Sequence, residues 1–174
     1  TLRVPLLVRA PEGERGTRRE EQVTLADIAP TLLDYAGVDV PDEMQGVSAR
    51  AVLRGDPPAD WQTSLYYRYW EHMSGHRVCA HYGVRTRTHK LIYYYYDGCG
   101  QAGTDEMLYA GAGPIISIDD LEPEWELFDL ERDPYELHNR ANDPEYAGVV
   151  RELKDELHRL QAEVGDERYE LDRD

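Results

Sequence analysis

The segment Glu71-His72-Met73-Ser74-Gly75-His76 brings one acid and two imidazoles into a short Gly-containing loop, and His81 and His89 follow on strand-like stretches. Groups of this kind bind metals, exchange protons, or hydrogen-bond anionic and sugar-like ligands. Tetrahedral zinc asks for three or four converging ligands, and His72 with His76 in a loop lacks the rigid i, i+4 geometry of a helical zinc motif. No metal site is therefore assigned, and ligand recognition and plain surface stand as equal readings of the loop. A hydrolytic metal site built on His72 and His76 is kept as a third reading, which an unchanged activity in the double alanine variant would remove. His81 and His89 alternate with apolar neighbours and are expected to be structural.

The tyrosines Tyr93, Tyr94, Tyr95 and Tyr96, with Tyr66, Tyr67 and Tyr69, have the character of a carbohydrate-stacking platform. Alternate residues of a strand face opposite sides, so about half of these rings are expected in a core. Asp129, Glu131, Asp133 and Glu136 are spaced somewhat like a calcium loop. They lack the glycine of its sharp turn and its full length, and Asp133-Pro134 opens an ordinary turn. No Gly-x-Ser-x-Gly, no phosphate-cradling glycine loop and no cysteine beside an obvious base occurs, so no catalytic residue is assigned. Cys79 and Cys99 are too weakly placed to assign a disulfide.

The elements that must position these residues are legible in the pattern. Residues 4–9 read as a strand, and a second short strand is expected to end at Val23. Thr24 stands at an N-cap position with Asp27 in a capping-box relation, ahead of Leu25, Ile28, Ala29, Leu32, Leu33 and Ala36 at helical spacing. Gly37 ends that helix, and Pro30 requires it to start late or bend. A short helix is expected over 48–53. From Ser64 the chain becomes aromatic and β-branched, and 64–70, 78–88, 90–96 and 125–130 read as four antiparallel strands. Arg85, Arg87 and Lys90 alternate with apolar residues, predicting one wet face and one packed face. A helix over 144–164, capped by Asn142 or Asp143, carries the stripe Val149, Val150, Leu153, Leu157 and Leu160 that would cover the packed face.

The chain has 174 residues, 41% of them hydrophobic, which suffices for a core. Its 19 basic and 35 acidic residues give a net charge of -16, which argues against nucleic acid as a partner. No apolar run is long enough to span a bilayer, so no membrane partner is expected. Arginine outnumbers lysine 17 to 2 among many acids, a balance of high-salt proteomes and of GC-rich genomes alike. A halophilic source is one expectation from it. The chain opens in a strand pattern without an initiator Met or signal peptide, which gives it the look of a fragment.

Four ordered stretches carry a resemblance. Arg3-Val4-Pro5-Leu6-Leu7-Val8-Arg9-Ala10-Pro11, then Asp27-Ile28-Ala29-Pro30-Thr31-Leu32-Leu33-Asp34-Tyr35-Ala36-Gly37-Val38 with Gln45-Gly46-Val47-Ser48, look like the C-terminal third of a type I, formylglycine-dependent sulfatase. His81-Tyr82-Gly83-Val84-Arg85-Thr86 with Lys90-Leu91-Ile92, and Trp125-Glu126-Leu127-Phe128-Asp129-Leu130 with Asp133-Pro134-Tyr135-Glu136, are similar to that family's GVRT…KLI and WELYDL…DPxE stretches.

The resemblance implies an α+β fold: a C-terminal sulfatase subdomain, with a four-stranded antiparallel sheet packed by a C-terminal helix. Before it would stand a strand-helix remnant of the large alkaline-phosphatase-like α/β domain. The expected division is 1–60, the end of the α/β domain; 61–164, the sheet and helix, with 97–124 as an insertion; and 165–174, an acidic tail. In the family, catalysis uses a Cys or Ser in Cys/Ser-x-Pro-x-Arg converted to formylglycine, and a calcium ion held by Asp and Asn. Both are expected in an N-terminal part upstream of this chain, which is itself expected to be inactive. That N-terminal sulfatase domain and a sulfated small molecule or carbohydrate are the expected partners, and export or a periplasmic location is common in the family. The resemblance also suggests that His72, His76 and Arg77 hydrogen-bond the substrate and that Tyr69 and Trp70 stack on a pyranose ring. A free-standing or split-protein module that docks on a separate N-terminal part stays open as the alternative.

Overall fold

In a computed structural model the described residues are 4–70, 78–95 and 123–166. The chain divides into two compact units, Thr1–Thr63 and Ser64–Asp174.

The first unit is organised by one buried carboxylate. Asp27 closes a 3-10 turn, Leu25–Asp27, and is 1% exposed. It accepts from the backbone N–H of Thr24 (2.7 Å), the Thr24 hydroxyl (3.0 Å), the backbone N–H of Val47 (2.8 Å) and the Gln62 amide (2.9 Å). A buried carboxylate needs such donors, because burial without them would cost several kcal/mol. Helix α1, Ile28–Ala36, starts directly after the turn, which puts Pro30 in the first helical turn where its missing N–H is no loss. Gly37, at φ 70°, ends α1 in the left-handed region, with N–H groups returning to Asp34 and Leu33. Thr31 donates to the Asp27 carbonyl (2.5 Å) and accepts from the Ala49 N–H (2.8 Å), tying α1 to the start of helix α2, Arg50–Arg54. Gly46 lies so close to this turn that a Cβ would stand 2.1 Å from the Ala26 carbonyl oxygen.

Two expected strands are absent from this unit. Residues 4–9 and the stretch ending at Val23 belong to no strand, and 4–9 are exposed throughout. The apolar pattern supplies a face to bury, but a strand exists only when its N–H and C=O groups find a ladder, and none is offered within this unit.

The second unit is a meander, β1 (Ser64–Tyr69), β2 (His81–Thr86), β3 (His89–Tyr94) and β4 (Glu124–Asp129), in the order β1-β2-β3-β4. All pairs are antiparallel, with Tyr66 opposite Val84 and Leu91 opposite Leu127. Helix α3, Ala147–Val164, covers one face. Asp143 provides the cap, accepting from the Glu145 N–H at the preceding turn Pro144–Tyr146. Tyr82, Val84, Leu91, Tyr93, Tyr95 and Leu127 on the sheet meet Leu153 and Leu157 of α3 in a single core. This is the mixed α+β arrangement of sheet and C-terminal helix that the pattern implies. Among the described residues no helix is long and apolar enough to cross a membrane.

The second face is less wet than the alternation suggests. Lys90 is 9% exposed, paired with Glu136 and set 5.2 Å from the centre of the Phe128 ring. Ile92, Phe128 and Tyr67 share that face, so the lysine lies along apolar surface with its charge matched by a carboxylate from the turn beyond β4. Glu136 reaches it from a backbone φ of 57°. Of the carboxylates spaced like a calcium loop, Asp129, Asp133 and Glu136 are spent on internal partners. Asp129 accepts from the N–H groups of Glu131 and Arg132 and from Tyr146, and Asp133 from those of Leu137 and His138.

Candidate functional site

One row of residues crosses the end of the sheet: Tyr69 opposes His81, His81 opposes Tyr94, and Tyr94 opposes Glu124. The β1–β2 and β3–β4 connections both leave from this row, so their flanking residues converge in space. On the face away from α3 the rings of the row pack together. Tyr69 stacks on His81 at 5.4 Å, Tyr94 lies 4.9 Å from it, and Tyr67 meets it edge-on at 5.6 Å. The His81 Nδ1 is 2.7 Å from the Cys79 carbonyl oxygen. A carbonyl only accepts, so Nδ1 carries the proton and Nε2 keeps its lone pair. Burial lowers the His81 pKa and keeps the ring neutral near pH 7. Burial likewise pushes the Tyr67 and Tyr94 hydroxyls up, and burial together with Glu124 raises Glu126. Burial thus disfavours the charged forms of His81, Tyr67, Tyr94 and Glu126 on this face.

On the α3 face of the same end stands Arg68. Its side chain is 7% exposed and forms an ion pair of 2.5 Å with Asp166, which also accepts from the Tyr66 hydroxyl. The guanidinium lies 3.6 Å from the centre of the Trp70 ring and 5.3 Å from that of Tyr95. The Tyr95 hydroxyl donates to the Tyr69 carbonyl (3.2 Å), pinning the backbone where β1 ends. Asp166 arrives because Gly165, at φ 71°, reverses the chain after α3. Asp166 therefore does not belong with a solvated tail, where its sequence position among acids places it: a cation on the packed face of a strand needs an anion, and this is the one that reaches it.

Of the residues singled out in the sequence, Tyr69 and Trp70 are at this end, and Trp70 is 54% exposed. His72, His76 and Arg77 lie outside the described residues, as do Cys99 and nearly all of the expected insertion. Arg68 and Asp166 went unnoticed in the sequence, and Tyr95 stood out there only as one of a run of tyrosines. Arg68 left a trace: it shares a strand face with Ser64 and Tyr66, where an apolar residue would be expected.

The family described as N-sulphoglucosamine sulphohydrolase, C-terminal, matches residues 1–102 and 115–163, across both units and all of the strands. The chain belongs to this family. Within the N-sulphoglucosamine sulphohydrolase C-terminal family it is 36% identical over 167 residues to the N-acetylglucosamine-6-O-sulfatase of Bacteroides thetaiotaomicron, covering 94% of this chain and 26% of the relative. It is 30% identical over 188 residues to the human N-sulphoglucosamine sulphohydrolase, covering 93% of this chain and 37% of that protein. The solved structure of BT4656 in complex with its substrate D-glucosamine-2-N,6-O-disulfate matches 84% of this chain and 25% of its own, with 36% identity and a TM-score of 0.64. A phosphonate monoester hydrolase from Silicibacter pomeroyi shares the fold at 22% identity, with a TM-score of 0.62 over 89% of this chain and 28% of its own. This family member thus spans only 26% and 37% of the length of the two curated relatives named.

Among the described residues no group of three or more His, Cys, Asp or Glu could hold a metal ion. Neither cysteine starts a Cys-x-Pro-x-Arg sequence: Cys79 is followed by Ala80-His81 and Cys99 by Gly100-Gln101.

Proposed function

We propose that this chain is the C-terminal part of a sulfatase that hydrolyses a sulfate ester on a sugar, and that it contributes structure and substrate-side contacts while the catalytic centre lies in the remainder of the protein. What carries the reading is the 36% identity to an N-acetylglucosamine-6-O-sulfatase over 94% of the chain, set against only 26% of that protein's length. The calcium ion and formylglycine of the family belong, on this reading, to the N-terminal part.

The chemistry available at the loop end of the sheet suits a saccharide. Trp70 offers an exposed indole and Tyr69 a partly exposed phenol, the surfaces on which pyranose rings stack. His72, His76 and Arg77 follow directly in the sequence and carry donors for hydroxyl, carboxylate or sulfate oxygens.

The test is the intact mass of the native protein and the sequence upstream of Thr1. The reading expects a species about three to four times this length, in keeping with the 26% and 37% shares, carrying a Cys/Ser-x-Pro-x-Arg site and an Asp/Asn metal cluster. A native species of 174 residues would overturn it and redirect the search to a separate partner that this chain completes. In the intact enzyme, substitution of His76 by Ala is expected to raise KM for a sulfated glucosamine about tenfold with a smaller change in kcat.

A further inference from the structure

We propose that Arg68, fixed by Asp166, is a positioning residue that holds the Trp70 indole as a stacking face for the pyranose ring of the substrate. This rests on the reading of Trp70 as a substrate-side residue and adds to it the part of the fold that sets the ring in place.

A half-exposed tryptophan beyond the last paired residue of a strand has two free side-chain torsions and nothing in its own sequence to fix them. Here the guanidinium of Arg68 lies 3.6 Å from the ring centre, so one face of the indole is covered while the residue as a whole remains 54% exposed. Arg68 is in turn over-determined. Asp166 pairs with its Nη1 at 2.5 Å, the Tyr95 oxygen lies 3.4 Å from its Nε, and the Tyr82 ring lies 5.7 Å from its guanidinium carbon. These contacts come from the end of α3, from the residue after β3 and from β2, so three elements besides its own strand fix the guanidinium. Asp166 is itself placed by the Gly165 reversal, its N–H donating to the Gln161 carbonyl at 2.9 Å.

A stability role alone accounts poorly for this charge. An apolar side chain of similar volume would cover the same core without the desolvation of a guanidinium and a carboxylate, and such replacements are often neutral or stabilising. What an apolar residue lacks is a planar cation that orients an aromatic ring face-on. The Asp166–Arg68–Trp70 stack therefore couples the end of α3 to the orientation of one exposed ring.

The experiment is a double-mutant cycle in the intact sulfatase, with D-glucosamine-2-N,6-O-disulfate as the probe. Trp70→Ala is expected to raise KM about tenfold with kcat little changed, and Trp70→Phe to recover most of the loss. Asp166→Asn and Arg68→Lys are each expected to raise KM several-fold, and neither to raise it further on the Trp70→Ala background. Loss of folded enzyme lowers kcat and leaves KM in place, so a purely structural role gives the opposite split. If Trp70→Ala raises KM while Asp166→Asn and Arg68→Lys do not, or if their effects add to it in full, positioning by Arg68 is overturned and the substrate-side reading of Trp70 stands. If Trp70→Ala leaves KM unchanged, both fall.

Discussion

Asp27 shows how much one side chain organises in this fold. Its carboxylate collects donors from a helix start, from the turn at Val47 and from Gln62, three places far apart in sequence. Replacement by Ala leaves two backbone N–H groups and an amide without their acceptor, and is expected to cost about 3 kcal/mol, read from the denaturant midpoint by Trp61 fluorescence. His81 makes a prediction of a different kind. Burial places its folded pKa below the ordinary 6.5, so the unfolded chain takes up the proton first. Its contribution is complete above about pH 6.5 and is lost as pH falls toward the depressed folded value. Glu126 has the opposite sign: its raised folded pKa means that stability is fully present below the ordinary 4.5 and declines as pH rises through the folded value. Glu126→Gln is accordingly expected to stabilise the sheet unit at pH 7 and to change little at pH 4, as urea titrations at the two pH values will show. The residue scale is also where the sequence said least. It offered no sign that Lys90 would be buried or that Asp166 would pair with Arg68, because both depend on which distant carboxylate or cation the fold delivers.

At the scale of elements the sequence was far more explicit. Alternation and aromatic content marked the four strands of the described sheet, and the Val149 to Leu160 stripe marked the helix that covers them, since both patterns report a face that must leave water. The Thr24/Asp27 spacing located the start of α1 and Gly37 its end, because caps are local chemistry. The strand expected at 4–9 failed for the complementary reason: its pattern was correct for burial, but pairing is not a local property. α3 is the element whose loss the second unit should tolerate least. Leu157 is fully buried between helix and sheet, and Leu157→Ala is expected to cost about 2–5 kcal/mol, enough to unfold a marginal unit in a thermal melt. Gly46→Ala tests the first unit in the same way. Its Cβ would fall 2.1 Å from a backbone oxygen, so the turn must open, with an expected loss of about 1–3 kcal/mol or more.

For the molecule as a whole, a net charge of -16 on 174 residues means that the compact state repels itself. Added salt shortens the range of that repulsion to about 3 Å at 1 M, and the melting temperature is expected to rise from low salt to molar salt. A flat or falling profile would show that the 17 arginines already neutralise the surface locally. The meander itself has a further consequence. Both connections next to the Tyr69–His81–Tyr94–Glu124 row leave the sheet at one end, whereas the tight β2–β3 hairpin and the Lys90–Glu136 pair close the other. Lengthening a connection at the open end costs only loop-closure entropy, about 0.6 kcal/mol per doubling, and leaves every ladder partner and every α3 contact as it was. Residues 103–114, which fall between the two stretches that match the family, lie in one of those connections. The scaffold can therefore accept new insertions, or whole loops transplanted from a relative, at the end that carries Trp70 without renegotiating its core: evolution and the protein engineer have the same free edit.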